Sequence, residues 1–463
     1  MSPEEFRRYG HRAVDWIADY LAHPECRAVL PQVRPGALVD ALPDEAPERG
    51  EPMEAILADF EKLVVPAMTH WNHPGFMAYF STSSSGPGIL GELLAAALNA
   101  NGMLWKTSPA VTELEQVTLA WLRQWLGLPD GFFGIIYDTA STSSMHAIAA
   151  AREAAEPAPH HSLTLYTSEQ AHSSIEKGAV AVGVARGKIR KIAVDAEFRM
   201  RAEELEAAIR RDLEAGLRPF CVAATVGTTS TTSVDPVPAI AEIARRHGLW
   251  LHVDAAYGGA AAVATDLRWV LDGAAGADSL VINPHKWLLT PVDLSAFYTR
   301  RPEVLRRAFS LVPEYLRTAG DPRAVNYMDY GVPLGRRFRA LKLWFVMRYY
   351  GREAIAEMIR SQVGWAGEFA AQVDAHPRFE RMAPARLSVV CFRYRGADAD
   401  NERLLERINA SGEVFLSHTA LHGQFTLRLA VGNQRTTREH VQRAWEIIQH
   451  EADHLPDSRD GGL

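Results

Sequence analysis

The chain has 463 residues, a length that calls for two or three domains rather than one ordinary core. Apolar residues make up 47% and charged residues 23%, the balance of a soluble globular protein. Lys+Arg 49 against Asp+Glu 56 leaves a net charge of −7, which argues against nucleic acid or an anionic membrane as a partner.

Cys26, Cys221 and Cys391 are isolated and odd in number. They offer neither a disulfide framework nor a metal-ligand spacing, so a reducing, cytoplasmic setting is expected. The start, Met1 to Phe6, is acidic and lacks the apolar core of a signal peptide. No run of about 18 apolar residues occurs, so no membrane span is expected.

Taken in chain order, residues 4–22 carry a helical pattern in Phe6, Tyr9, Ala13, Trp16, Ile17 and Tyr20. A proline-rich passage, 24–52, leads to a second helix over 53–64 with Ile56, Leu57, Phe60 and Leu63 on one face. Such a segment has little core of its own. From 86 to 350 helices and strands alternate. Helices are expected over 112–125, 141–155, 202–215 and 237–246. Strands are expected over 134–137, 163–166, 220–225, 249–253, 279–282 and 296–299. This alternation predicts an α/β fold with a mostly parallel sheet covered by helices. Residues 351–463 mix helices with short strands, 387–393 and 425–429, and end in a helix near 437–452. The expected division is therefore 1–85, an N-terminal helical segment; 86–350, a large α/β domain; and 351–463, a small α+β domain.

Two positions carry the chemistry. Lys286 stands in Asn283-Pro284-His285-Lys286-Trp287, directly after an apolar strand. A lysine becomes nucleophilic when desolvation or a neighbouring cation lowers its pKa. The plain alternative is a lysine snorkelling at a strand end. Asp254 follows the apolar run Leu249 to Val253 and precedes only small residues and Tyr257. A carboxylate at the end of a buried strand needs a cationic partner. Alone it reads equally well as a helix cap or turn. Together, one strand-helix-strand step apart, the two point to pyridoxal 5'-phosphate, whose enzymes pair a Schiff-base lysine with an acid on the ring nitrogen.

The run Asp138-Thr139-Ala140-Ser141-Thr142 lies between a strand and a helix, where a phosphate could meet free N–H groups. In isolation it reads as a serine-rich helix cap. His172, in Ala171-His172-Ser173-Ser174, reads in isolation as polar surface. His160-His161 and His418 with His422 lack an acidic or cysteine companion at ligand spacing, so no metal site is expected.

These motifs resemble those of the aromatic L-amino acid decarboxylases, among the group II pyridoxal phosphate decarboxylases of fold type I. The resemblance extends through His73-Pro74-Gly75-Phe76, Ser108 to Glu115, Gly227-Thr228-Thr229, Pro333 to Arg339, and Val441 to Glu446. It implies a seven-stranded type of sheet with helices on both faces. It also implies a homodimer in which the N-terminal segment packs on the partner subunit. Lys286 would carry the cofactor and Asp254 would partner the ring nitrogen. Ala140, Ser141 and Asn283 would hold the phosphate. His172 would stack on the ring near the substrate carboxylate. Thr229, Ala256 and His285 would neighbour the cofactor. Trp71, Tyr79, Phe80 and Thr82 would wall the aromatic amino acid substrate, with room for a large ring left by Gly335.

Asp138 departs from the glycine usual in the family's phosphate loop. Asn101 and Met103 depart from its apolar and aromatic residues. Tyr315 matches the family's proton donor, in a stretch expected to act as a lid. Related aldehyde synthases carry phenylalanine there, and the carbanion left after carbon dioxide departs then meets oxygen. The expected activity is decarboxylation to the amine. The alternatives are oxidative formation of an aromatic aldehyde and a non-catalytic cofactor-binding protein.

Overall fold

The computed structural model describes residues 1–157, 159–311 and 324–455. Its centre is a seven-stranded sheet: β1 Phe133–Tyr137, β2 Leu163–Ser168, β3 Ile189–Ile192, β4 Arg218–Thr225, β5 Trp250–Asp254, β6 Ser279–Ile282 and β7 Ser295–Thr299. The strand order is β1-β7-β6-β5-β4-β2-β3. The pairs from β3 through β6 are parallel, and β7 runs antiparallel to both β6 and β1.

The middle strands are apolar because helices cover both faces. All of β5 and β6 is buried, and all of β4 except Arg218. Strand β3 was not expected from the sequence. Arg190 and Lys191 break its apolar run, as suits a strand paired on one side only.

Parallel strands end on the same edge of the sheet, where ligands of such folds bind. Thr225 is register partner to Asp254, and Asp254 to Val281. The turns after β4 and β5 also touch. Gly227, at φ +85, lies so close to Gly258 that a Cβ on it would sit 2.8 Å from the Gly258 nitrogen. The small residues after Asp254 are therefore a packing requirement.

A second sheet holds β8 Phe379–Arg381, β9 Val389–Tyr394, β10 Ser417–Leu421 and β11 Gln424–Ala430, in the order β10-β11-β9-β8, all antiparallel. It has its own core, with Phe369, Phe379, Phe392 and Trp445 in edge-on or tilted contact. The helical run Ala340–Ala375 leads into it and is interrupted at Gly351, at φ 68 and ψ 172. At the other end of the chain, the helices Pro3–Ala22 and Met53–Asp59 contain no buried residue.

Candidate active site

At the C-terminal edge of the large sheet lies a cavity of about 240 Å³. Most of its wall is set by strand ends, and Phe80 is added from the stretch before β1. After β6 the chain turns at Asn283 into one helical turn, Pro284–Trp287, which carries Lys286. Trp287 anchors that turn: its ring is fully buried, and its N–H donates to Oε1 of Gln362 at 2.6 Å. Trp287 also stacks on Tyr257 at 4.7 Å, and Tyr257 stacks on Phe80 at 3.7 Å. The Lys286 Nζ lies 5.2 Å from the centroid of the Phe80 ring.

Burial pushes the pKa of Lys286 down, Asp254 opposes that shift, and Arg428 adds to it. Asp254 ends β5 at 5% exposure, and its Oδ1 accepts the N–H of Ala256 at 3.1 Å. His172 precedes the helix Ser173–Ala181 and caps it with its own ring, Nδ1 accepting the Ser174 N–H at 3.2 Å. The neutral ring therefore carries its proton on Nε2. Burial and then the charge of Lys286 hold its pKa below the usual histidine value.

The helix Ala140–Ala154 begins at the cavity, with Thr139 as its cap accepting from the Thr142 N–H. Thr139, Ala140 and Ser141 line the wall. A buried ion pair fixes the preceding strand: Arg336 meets Glu115 at 2.7 Å, and the two bond the C=O and N–H of Ile136. Asp138 is turned away. Its Oδ1 accepts the Thr139 N–H at 2.6 Å, and its side chain lines a neighbouring cavity of about 100 Å³ beside Gly335 and Arg336.

Of the residues expected from the sequence, Phe80, Ala140, Ser141, His172, Thr229, Asp254, Ala256, Asn283, His285 and Lys286 meet at the one cavity. Trp71, Tyr79 and Thr82 do not line it. Trp71 and Tyr79 are exposed and pack on the buried Phe76 and the partly buried Phe415. Asn101, Met103 and Gly335 cluster together away from this cavity: Asn101 bonds the Arg336 N–H and approaches Met103 Sδ at 3.7 Å. Tyr315 lies in 312–323, outside the described residues. Sequence reasoning missed Thr225, Gly227, Ser174 and Tyr257 as wall residues. Their positions immediately after or beside the motif residues were the available signal.

Residues 35–395 match the pyridoxal-dependent decarboxylase conserved domain. The chain belongs to this family. A phenylacetaldehyde synthase of Arabidopsis thaliana is 41% identical to it over 98% of this chain and 97% of that protein. An aromatic-L-amino-acid decarboxylase of Sus scrofa is 42% identical over 100% of this chain and 99% of that protein. The solved structure of Oryza sativa TDC with PLP and tryptamine superposes with a TM-score of 0.96 at 38% identity, covering 98% of this chain and 99% of that one.

The chain is thus a pyridoxal phosphate-dependent carboxy-lyase of fold type I. The cavity suits the cofactor on its own evidence. Two buried polar atoms at its wall, the Thr225 hydroxyl and one side-chain atom of Asn283, have no hydrogen-bond partner among the described residues. A helix N-terminus and a buried carboxylate face the same space as the lysine whose charge burial disfavours.

Proposed function

We propose that this protein decarboxylates an aromatic L-amino acid to the corresponding amine. The observation that carries the reading is the meeting of Lys286, Asp254 and His172 at one cavity walled by the stacked rings of Phe80 and Tyr257, with Trp287 stacked behind Tyr257. When bound, pyridoxal phosphate supplies the sink for the electron pair released as carbon dioxide leaves.

The residues divide the remaining work. Lys286, its ammonium disfavoured by burial, offers the amine that bonds the cofactor. Asp254 keeps a proton on the cofactor's ring nitrogen. Ala140 and Ser141, at a helix N-terminus, receive the phosphate. Asn283 is oriented toward it by hydrogen-bond logic. The Leu294 N–H donates to Nδ1 of His285 at 2.9 Å, so the neutral ring carries its proton on Nε2. That nitrogen lies 3.3 Å from the Asn283 amide. The amide must present its oxygen to the ring, which leaves its NH₂ for the cavity. His172, Thr229 and Ala256, which line the same cavity, would help to hold the cofactor there. Phe80 would wall the substrate ring from this cavity. Trp71, Tyr79 and Thr82, which stand outside it in the single chain, would have to extend that wall, and Tyr315 would return a proton to Cα.

Assembly follows from what one chain leaves uncovered. Phe6 and Ile56 are 64% and 46% exposed, and Leu90, Leu93, Leu94 and Leu98 on the helix Gly86–Leu98 are similarly bare. A homodimer would cover these faces. We divide the chain as 1–85, 86–350 and 351–463. A cytoplasmic location is supported by three free cysteines, two of them buried. Among the described residues no helix is long and apolar enough to cross a membrane.

The second reading, oxidative release of an aromatic aldehyde, is favoured by the phenylacetaldehyde synthase relative. One assay separates the two. Tryptophan, tyrosine, phenylalanine and dihydroxyphenylalanine are each tested for carbon dioxide, amine, peroxide and oxygen uptake. Amine equal to carbon dioxide, without oxygen uptake, is expected. Peroxide and ammonia in its place would establish the second reading. No carbon dioxide from any of the four would remove the aromatic substrate class.

A further inference from the structure

Strand β11 sends one charged side chain out of the small domain's core and toward the large domain's site. Leu427 and Leu429 belong to that core, so strand alternation turns Arg428 the other way. Arg428 is 3% exposed. Among the described residues no carboxylate pairs with it; the groups that favour its charge are Cys391 and Tyr257. A buried cation without a counter-ion is unfavourable unless other groups satisfy it.

What satisfies it are acceptors on segments adjoining the cavity wall. Nε donates to the Ser230 carbonyl at 3.1 Å, and Nη1 donates to the Tyr79 carbonyl and to Ser417 Oγ. Nη2 is buried without a partner among the described residues. The guanidinium carbon lies 4.7 Å from the centroid of Phe80, the ring that Lys286 also approaches at 5.2 Å. One side chain thus ties the segments that carry Phe80 and Thr229 and shares an aromatic ring with the lysine.

We propose that Arg428 is a positioning residue for Lys286: it fixes the Tyr79–Phe80 and Thr229–Ser230 segments around the amine and places a second positive charge beside it. Among the described residues, the charged or titratable groups coupled to Lys286 are Asp254 from β5, Arg428 from β11, His172 from the turn after β2 and His285 on its own turn, with the Tyr257 phenol on the same cavity wall. Asp254 favours the lysine's charged form. The two histidines are themselves held toward neutrality, partly by Lys286. Arg428 is therefore the fixed cation that opposes Asp254, and its charge pushes the lysine in the same direction as burial does.

The inference rests on Lys286 being the residue that bonds the cofactor. The test is the rate at which cofactor-free protein captures pyridoxal phosphate across a pH series, read by visible absorbance. Borohydride fixation and peptide mapping identify the lysine that is bonded. Arg428→Met is expected to capture about tenfold more slowly at neutral pH and to recover when the pH is raised by about one unit. Arg428→Lys keeps the charge and loses the fork of hydrogen bonds. Its pH midpoint should stay at the wild-type value while its maximal rate falls several-fold.

A merely structural arginine would slow capture equally at every pH, so an unmoved midpoint in Arg428→Met overturns the proposal. Should that variant not fold, Arg428→Lys decides: a shifted midpoint, or a wild-type maximal rate, overturns it. Cofactor fixed on a lysine other than Lys286 in the wild type overturns the functional reading itself, and this inference with it. Cofactor on Lys286 with failed pH predictions overturns this inference alone.

Discussion

At the C-terminal edge of the large sheet, Thr225, Asp254 and Asn283 are no more than 5% exposed. Each wall there is held by named contacts: Trp287 to Gln362, Arg336 to Glu115, Arg428 to Tyr79 and Ser230. In the N-terminal segment the helix Pro3–Ala22 buries nothing, and its aromatic residues meet only neighbours such as Phe60 and His70. Both regions are rich in large apolar side chains, yet one is finished within a single chain and the other is not. The difference follows from geometry. A sheet covered on both faces supplies its own interior, whereas two short helices cannot. Chemistry that needs fixed charges sits in the first kind of region. The second kind is the surface that the proposed dimer would cover.

The sharpest way to break this contrast is at the lysine. Lys286→Ala removes the only amine at the cavity among the described residues. Turnover should fall by more than roughly 10³-fold, because the nucleophile itself is gone. Full activity in that variant would end the assignment. Asp254→Ala should cost roughly 10²–10³ in kcat, as loss of a fixed charge opposite developing charge usually does. Recovery of near wild-type kcat with excess cofactor would reduce Asp254 to a binding role.

Tyr315→Phe tests the proton donor by product rather than by rate. Carbon dioxide release should persist while amine yield drops several-fold and oxygen uptake appears. Unchanged amine yield with no oxygen uptake would take Tyr315 out of the mechanism. The N-terminal side of the contrast is tested by removing residues 1–64. The shortened chain should lose its dimer in light scattering and much of its solubility. A soluble dimeric product would place the interface elsewhere, with the bare leucines of the helix Gly86–Leu98 as the next surface to alter.

How far these regions could be read from sequence differs for the same reason. Strands β4, β5 and β6 announced themselves as mostly apolar runs because helices cover them on both faces. The motif residues at their ends were legible because chemistry restricts them: Lys286 between His285 and Trp287, Asp254 before a run of small residues. Strand β3 was not legible, since a strand paired on one side tolerates Arg190 and Lys191. Arg428 was not legible either. An arginine in Phe425-Thr426-Leu427-Arg428-Leu429 reads as the solvent face of a strand, and only the docking of the small domain buries it. Asp138 looked like an acid beside a phosphate. The backbone turn that points it into the neighbouring cavity has no sequence signature.

The smallest expected effect separates the two regions by acid. His252 lies inside the sheet, fully buried, its two nitrogens bonded to the hydroxyls of Ser279 and Ser144 at 3.0 Å. Burial lowers its pKa to about 4. His285 and His73 are likewise lowered to about 4. A histidine depressed in the folded state contributes its full stability above the unfolded value near 6.5. As the pH falls from there to about 4 the unfolded chain takes up the proton first, and that stability is lost. For His252 the loss is roughly 3 kcal/mol over the window.

Asp235 works the other way. It accepts the N–H groups of Met200 and Thr225, and burial raises its pKa to about 6. Its contribution is lost as the pH rises through 6 and regained on acidification, offsetting part of the histidine loss. The wild type should therefore weaken in urea between pH 6.5 and 4. His252→Gln, which cannot take a proton there, should be less stable at neutral pH but fall less steeply in acid. Equal slopes for the two proteins would show that His252 is already solvated in the folded chain. The strand end that carries Asp254 would then be looser than its burial indicates.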